Sequence, residues 1–327
     1  MSFVCRTRLA CGLISNTAGG KRRICATFYE ERGAPRLQKR TIAGLAFDIG
    51  NFVLLTLLAL LTLFPFLHIL AGSLASPAEV LQSKFIMFPK QFSFDAYRFI
   101  FSENTLLRSM LITVYITVVG TLINMVMTMS MAYPLARNVK GKRIIMLLVV
   151  FTLLFGGGII PNFLVVKSLG LLNTYWSLWL PGAIHAFYMI ILINFFRQLP
   201  ADYEESAKID GANEPTLLWK IVIPLSLPAI ATFSLFYAVA HWNTFFSALL
   251  YINDSHKWPI QILLRQIVIM SSGGIGDASF ASESAYAVPP QTVKMAVIAV
   301  ATLPIIAVYP FLQKHFAQGV LLGSIKG

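Results

Sequence analysis

Few residues in this sequence are of a type and spacing that could perform covalent chemistry. A phosphate-gripping loop needs G-x-x-x-x-G-K-[ST], whose backbone N–H groups cradle phosphate oxygens. The pairs Gly20-Lys21 and Gly141-Lys142 lack both the upstream glycine and the following hydroxyl. ATP hydrolysis is therefore not expected of this chain. No H-E-x-x-H, G-x-S-x-G or paired-cysteine motif occurs. Cys5, Cys11 and Cys25 fit no zinc spacing and have no histidine nearby, so they read as unpaired, reduced thiols without a metal. What remains is a set of uncharged polar or amphipathic groups in apolar runs: Asn124, His185, Asn194, His241, Trp242 and Asn243. Such groups in lipid must face the bundle or a wet cavity. Hydrogen bonding between helices and contact with a passing solute are both open readings for them.

The elements that position these groups are apolar helices. The chain has 327 residues, of which 57% are apolar and only 12% charged, with a mean hydropathy of +0.71. A soluble domain of this size rarely carries so few charges. Several runs reach the roughly 20 apolar residues that cross a bilayer. The expected class is an all-α, polytopic membrane protein with six spans near 48–72, 108–134, 144–162, 176–196, 226–251 and 292–312. Residues 1–46 form a basic tail, read as mobile over 1–35, and 314–327 a short C-terminal tail. Pro65 would kink the first span. Ser76-Pro77-Ala78-Glu79 has the pattern of a capping box outside the membrane. The run Gly156-Gly157-Gly158 to Pro161 should end the third span, with an amphipathic piece over 162–172 after it. Trp176 and Trp179 suit an aromatic belt at the start of the fourth. A longer outer segment over 253–290 contains the flexible run Ser271-Ser272-Gly273-Gly274.

Charge sets the expected orientation. The tail, the loops at 135–143 and 197–225 and the C-terminal end hold eighteen Lys and Arg, against five on the other side. The richer side is cytoplasmic by the positive-inside rule, and the short loop 135–143 gives the same answer alone. The net charge of +12 then reflects topology and anionic headgroups, and no nucleic-acid partner is expected. Both termini lie in the cytoplasm. Asp48, at a span edge, is the only carboxylate within reach of a span, and no internal repeat is visible. Both points count against an ion-coupled secondary transporter, the alternative reading. A membrane enzyme or assembly factor has no catalytic constellation to rest on.

The stretch 202–228 is the longest polar insert between two apolar runs in the second half. Asp202 and Glu205 have capping spacing, so a helix should start there. Gly211 suits its C-terminal cap. Asn213 is a good N-cap for a second helix, with Pro215 in its first turn. Leu217, Leu218, Ile221 and Val222 follow at helical spacing. Pro224 and Pro228 should end or bend that helix.

Glu205-Ser206-Ala207, three residues, Gly211, nine residues and Ile221-x-Ile223-Pro224 resemble the EAA loop of ABC importer permeases. That pattern is E-A-A-x3-G-x9-I-x-L-P, with Ser206 here in place of Ala and Ile223 in place of Leu. From about residue 40 onward, further stretches are similar to the carbohydrate-importer branch, within it to permeases for oligosaccharides of complex polysaccharides. These are 151–161, His241-Trp242-Asn243, Leu264-Arg265-Gln266, 309–314 and 319–327. The resemblance implies a type I permease fold in the inner (cytoplasmic) membrane. A second homologous permease completes the path, two ATP-binding subunits that hold ATP and Mg dock below, and an extracytoplasmic sugar-binding protein docks above. It also implies that the loop 200–228 is a coupling helix seated on the ATP-binding subunit. Glu205, Ser206, Ala207, Asp210, Gly211, Ile221 and Pro224 are its coupling residues, with Gly211 expected to act sterically. Sugar sites combine aromatic faces with amides that pair with hydroxyls. Trp242 with Asn243 is the first choice for the sugar path, joined by Asn194 and His241.

Overall fold

The computed structural model describes residues 42–83, 85–102, 104–200, 202–271 and 289–324. The tail over 1–35, the glycine run after Ser271 and the last residues of the C-terminal tail lie outside them. Backbone contacts divide the chain into two compact units, Met1–Leu60 and Leu61–Gly327. In the first unit the described residues are the opening of α1 (Ile42–Ser73), apolar all round and exposed on all sides. Such a surface belongs against lipid or another chain.

In the second unit, α2 (Pro77–Gln82) is capped as the sequence suggests, with the Ser76 hydroxyl accepting from the Glu79 N–H. Glu79 does not close the reciprocal half of the box. Its carboxylate accepts from the backbone N–H of Lys90 at 3.1 Å and of Gln91 at 3.4 Å, tying down the loop that leads to α3 (Asp95–Ser102). Next comes α4 (Asn104–Ala136), a 33-residue helix with Pro134 inside its last turn. It is longer than expected at both ends.

The expected third span breaks earlier than its composition suggests. The first piece, α5, covers Lys142–Leu154. The glycines turn the chain by 117° into α6 (Ile159–Ser168). Gly158 supplies a φ of +81° at the turn. Pro161 stands in the first turn of α6 rather than ending a helix, because its missing N–H has no helical partner there. The expected fourth span is interrupted too. It consists of α7 (Trp176–Trp179) and α8 (Ala186–Arg197), parted at Pro181-Gly182.

The polar loop holds α9 (Asp202–Ile209) and α10 (Glu214–Leu217). A π turn over Leu218–Val222 leads to α11 (Ile223–Leu225). An 88° bend at Ser226 opens α12 (Leu227–Trp242), with Pro228 in its first turn. The fifth span therefore stops at Asn243, and α13 (Phe246–Tyr251) is a separate piece. Then come α14 (Ile260–Ser271) and α15 (Pro290–Ser324), which runs past the expected end at 312. Three described helices are long and apolar enough to cross a membrane, and counting each bent pair as one span raises this to five. The expected span left out of that count is the fourth, the interrupted α7–α8 segment.

The packing centre of this unit is α4. Its C-terminal half meets α8, the π turn and α12 around Met129, Ala132, Phe196, Leu217 and Val222, the last three with no exposed surface. Its N-terminal half packs with Trp179, Tyr251 and Ile262.

Candidate functional site

The loop 202–225 is built by local capping chemistry. The N–H of Ala212 donates to the carbonyl of Ala207 at 2.9 Å and that of Gly211 to Lys208 at 3.0 Å. This pair is a Schellman cap, which needs the positive φ that Gly211 supplies at +81°. The Asn213 side chain then accepts from the Thr216 N–H at 3.1 Å and starts α10. A Cβ placed on Gly211 would meet nothing within 4 Å. The expected steric role within the turn is thus replaced by a conformational one, and any side chain there would point into open space.

The loop has two faces. Successive turns of α9 bury Glu204, pack Ala207 on the core and set exposed Lys208 beside Glu214. Glu205, Ser206, Ile209, Asp210 and Gly211 lie on the exposed side. Ile209 is 86% exposed, and Tyr203 and Trp219 are exposed as well. Of the remaining coupling candidates, Pro224 is exposed and Ile221 half-buried against the core.

A polar clamp fixes the inward face to the end of α4. Arg137 pairs with Glu204 and also lies over the Tyr133 ring, 5.4 Å from its centroid. The Tyr133 hydroxyl donates to Glu214 Oε2 at 2.7 Å, and Lys208 Nζ meets Glu214 Oε1 at 2.9 Å. The Lys208 and Tyr133 hydrogen bonds hold the Glu214 carboxyl below the usual carboxylate range. One end of α4 thereby grips both helices of the loop. None of Tyr133, Arg137, Glu204, Lys208 and Glu214 stands out as a site in the sequence. The available signals were the acid one position before Glu205 and the aromatic–basic pair four residues apart at the helix end.

A second polar group lies deeper along α4 and is uncharged. Asn124 donates to the Gly182 carbonyl at 2.7 Å, and its Oδ1 lies 3.1 Å from His241 Nε2. Gly120 leaves room for that ring, because a Cβ there would come within 2.6 Å of Nε2. The Tyr237 hydroxyl bonds with Thr128 at 2.9 Å and accepts from the His185 N–H at 3.0 Å. The interruption between α7 and α8 is thus satisfied by side chains from α4 and α12, as freed backbone groups in an apolar setting require. His185 itself is exposed and stacks on Tyr188, with centroids 4.4 Å apart.

The sugar-path candidates separate accordingly. His241 is buried in the Asn124 contact and Trp242 is only 9% exposed. Asn243, at the C-terminus of α12, and Asn194, on α8, reach the surface. The Asn243 amide donates to the Val239 carbonyl at 2.9 Å, which leaves its oxygen free to accept. Among the described residues no group of three or more His, Cys, Asp or Glu could hold a metal ion.

Comparison with known proteins gives a consistent set of likenesses. A family model described as "Binding-protein-dependent transport system inner membrane component" matches residues 109–322. Protein LplC of Bacillus subtilis (strain 168) is 56% identical over 289 residues, 88% of this chain and 97% of that protein. The polygalacturonan/rhamnogalacturonan transport system permease protein YtcP of the same organism is 57% identical over 282 residues, 86% of this chain and 98% of that protein. Among solved structures, a chain of a bacterial ABC transporter involved in the import of the acidic polysaccharide alginate superposes with a TM-score of 0.79. It is 32% identical, and the match covers 84% of this chain and 98% of that one.

Proposed function

This chain belongs to the family of inner membrane components of binding-protein-dependent transport systems, and from that premise we propose that it is one half of the path of an ABC importer for carboxylated oligosaccharides. A second homologous permease forms the other half, and an extracytoplasmic sugar-binding protein delivers the substrate. Two ATP-binding subunits hold ATP and Mg and supply the hydrolysis. Both termini and the loop 200–228 face the cytoplasm. The substrate class is drawn from two relatives, whose names specify polygalacturonan and alginate, both polymers of uronic acids.

One observation carries the coupling role: the loop is clamped to the bundle on one face and unpartnered on the other. The exposed face bears Glu205, Ser206, Asp210, Gly211 and Pro224 with Ile209 in their midst. A nearly bare isoleucine amid carboxylates and a cap glycine suits a protein partner better than water. Motion of such a partner would pass through the loop into the end of α4 by way of Arg137–Glu204 and Tyr133–Glu214.

Cross-linking in membranes of the complete transporter tests this. Cysteine at Ser206 or Ile209 should form adducts with an ATP-binding subunit, and cysteine at half-buried Ala207, which packs on the core, far fewer. Gly211→Asp should leave membrane yield unchanged and abolish uptake, since its carboxylate would project into the docking face. Absence of adducts from 206 and 209, with normal uptake by Gly211→Asp, would remove the coupling role. Uptake driven by a proton gradient without ATP would establish the secondary-transporter reading instead.

A further inference from the structure

We propose that Arg265, held over the Phe245 ring beside Asn243 and Thr244, binds a carboxylate of the oligosaccharide as it enters the path. This rests on the acidic substrate class proposed above. The site stands where α12 ends and α13 has not begun. Gln261 and Arg265 share one face of α14, four residues apart. The Gln261 amide donates to the Trp242 carbonyl at 3.4 Å and sets α14 in register along that turn. One turn later the Arg265 guanidinium lies over Phe245, 5.2 Å from the ring centroid. Ile260, Ile262 and Leu263 bury the other side of α14, so Arg265 extends from a fixed support.

The charge of Arg265 is uncommitted. Ion pairs among the described residues engage Arg98, Arg137, Lys208 and Lys257, and Arg265 belongs to none of them. Its side chain is nonetheless exposed. The contact with the Phe245 ring spends none of the guanidinium's N–H donors, which keep their planar fork. That is the geometry for a two-pronged bond to a carboxylate, which a lysine ammonium cannot reproduce. Hydroxyl-pairing groups lie alongside. Asn243 keeps its carbonyl oxygen, because only its amide is spent on Val239. The Thr244 hydroxyl donates to the Ala240 carbonyl at 3.3 Å and keeps a lone pair. Two acceptors in the turn after α12, followed directly by the ring that carries the Arg265 cation, fit a uronate residue better than a neutral sugar.

The test uses the complete transporter in proteoliposomes, with trigalacturonate as the probe. Uptake and binding-protein-stimulated ATP hydrolysis are measured for the unmodified chain, Arg265→Gln and Arg265→Lys. Arg265→Gln should lower uptake about tenfold, the scale of one lost charged hydrogen bond, while stimulated hydrolysis stays near normal. Arg265→Lys should fall between, keeping charge without the planar fork. If Arg265→Gln transports like the unmodified chain, the assignment of Arg265 fails and the substrate class stands. If uptake and hydrolysis fall together in both variants, Arg265 serves assembly and the proposal is wrong. If the unmodified chain takes up no trigalacturonate although ATP hydrolysis is stimulated, the substrate class itself fails and this site with it.

Discussion

Two regions of α4 hold polar groups by opposite means. At residues 133–137 the helix end uses charge: Arg137 on Glu204, and Tyr133 on a Glu214 that also meets Lys208. At residues 120–128 it uses neutral groups: Asn124 between Gly182 and His241, and Thr128 on Tyr237. The difference follows from the solvent. An ion in an apolar bundle is costly to desolvate, whereas an amide or hydroxyl with a partner is tolerated. At the polar loop, water shares the cost, and charge can hold the segment. On the coupling role proposed above, the clamp belongs to the moving end and the neutral pins to the frame, so damage to each should be distinguishable.

The largest effect is expected at the clamp. Arg137→Met leaves Glu204 buried without a counter-charge. Breaking such a pair costs about 3 kcal/mol, the lower end of the usual range, because Arg137 and Glu204 keep 26% and 12% of their side-chain surface exposed. Hydrogen exchange in the assembled transporter should show the amides of 203–212 losing protection by roughly that amount. Uptake should fall more than ATP hydrolysis, since the loop would move without α4. Exchanging the pair, Arg137→Glu with Glu204→Arg, should recover about 1 kcal/mol by charge alone, and not all, because the contact with Tyr133 is lost. Equal loss of uptake and hydrolysis in Arg137→Met, with unchanged protection, would end the distinction between clamp and frame.

A smaller effect is expected at the pins. Asn124→Leu removes the partner of the Gly182 carbonyl and of the His241 ring. Hydrogen bonds between helices in lipid are worth less than burial alone suggests, so the expected cost is about 1–2 kcal/mol. It should appear as earlier thermal inactivation and faster exchange around 182–186. The sugar moved per ATP should not change. A fall in that ratio would place Asn124 in the coupling train and dissolve the contrast.

The sequence discloses these regions unequally. The loop helices were legible because their signals are local: Gly211 as C-cap, Asn213 as N-cap and Pro215 in a first turn all follow from neighbours within a few residues. The same holds for Ser76 ahead of α2. Two of the interruptions were not legible. Pro181-Gly182 and Asn243 sit in apolar runs that read as continuous, and the first is stabilised by Asn124, His241 and Tyr237 from distant parts of the chain. The clamp was hidden for the same reason: Tyr133 and Glu214 are 81 residues apart. Glu205 drew attention through its motif, while its neighbour Glu204 makes the intramolecular bond, a choice set by which turn of α9 faces α4.

The weakest link in the clamp is Lys208, and it provides the finest test of the contrast. Its pair with Glu214 is half-exposed, with 52% and 60% of the two side chains accessible. Exposed pairs contribute about 0.5 kcal/mol or less and are screened by salt. Lys208→Met should therefore reduce protection of the loop by no more than that at low salt, and by nothing measurable at high salt. The pH dependence follows from the depressed Glu214 carboxyl, held down first by Lys208 and then by Tyr133. A carboxyl depressed in the folded state stabilises above its ordinary value, and that contribution is lost as pH falls through the folded value. Loop protection should thus be flat near neutrality and decline only in acid. Lys208→Met should move the decline to higher pH, because only the Tyr133 hydrogen bond and the more distant Arg137 charge remain to hold the carboxylate. An unchanged acid profile would mean that Tyr133 carries this half of the clamp, and that the charged end of α4 depends on Arg137 and Glu204 alone.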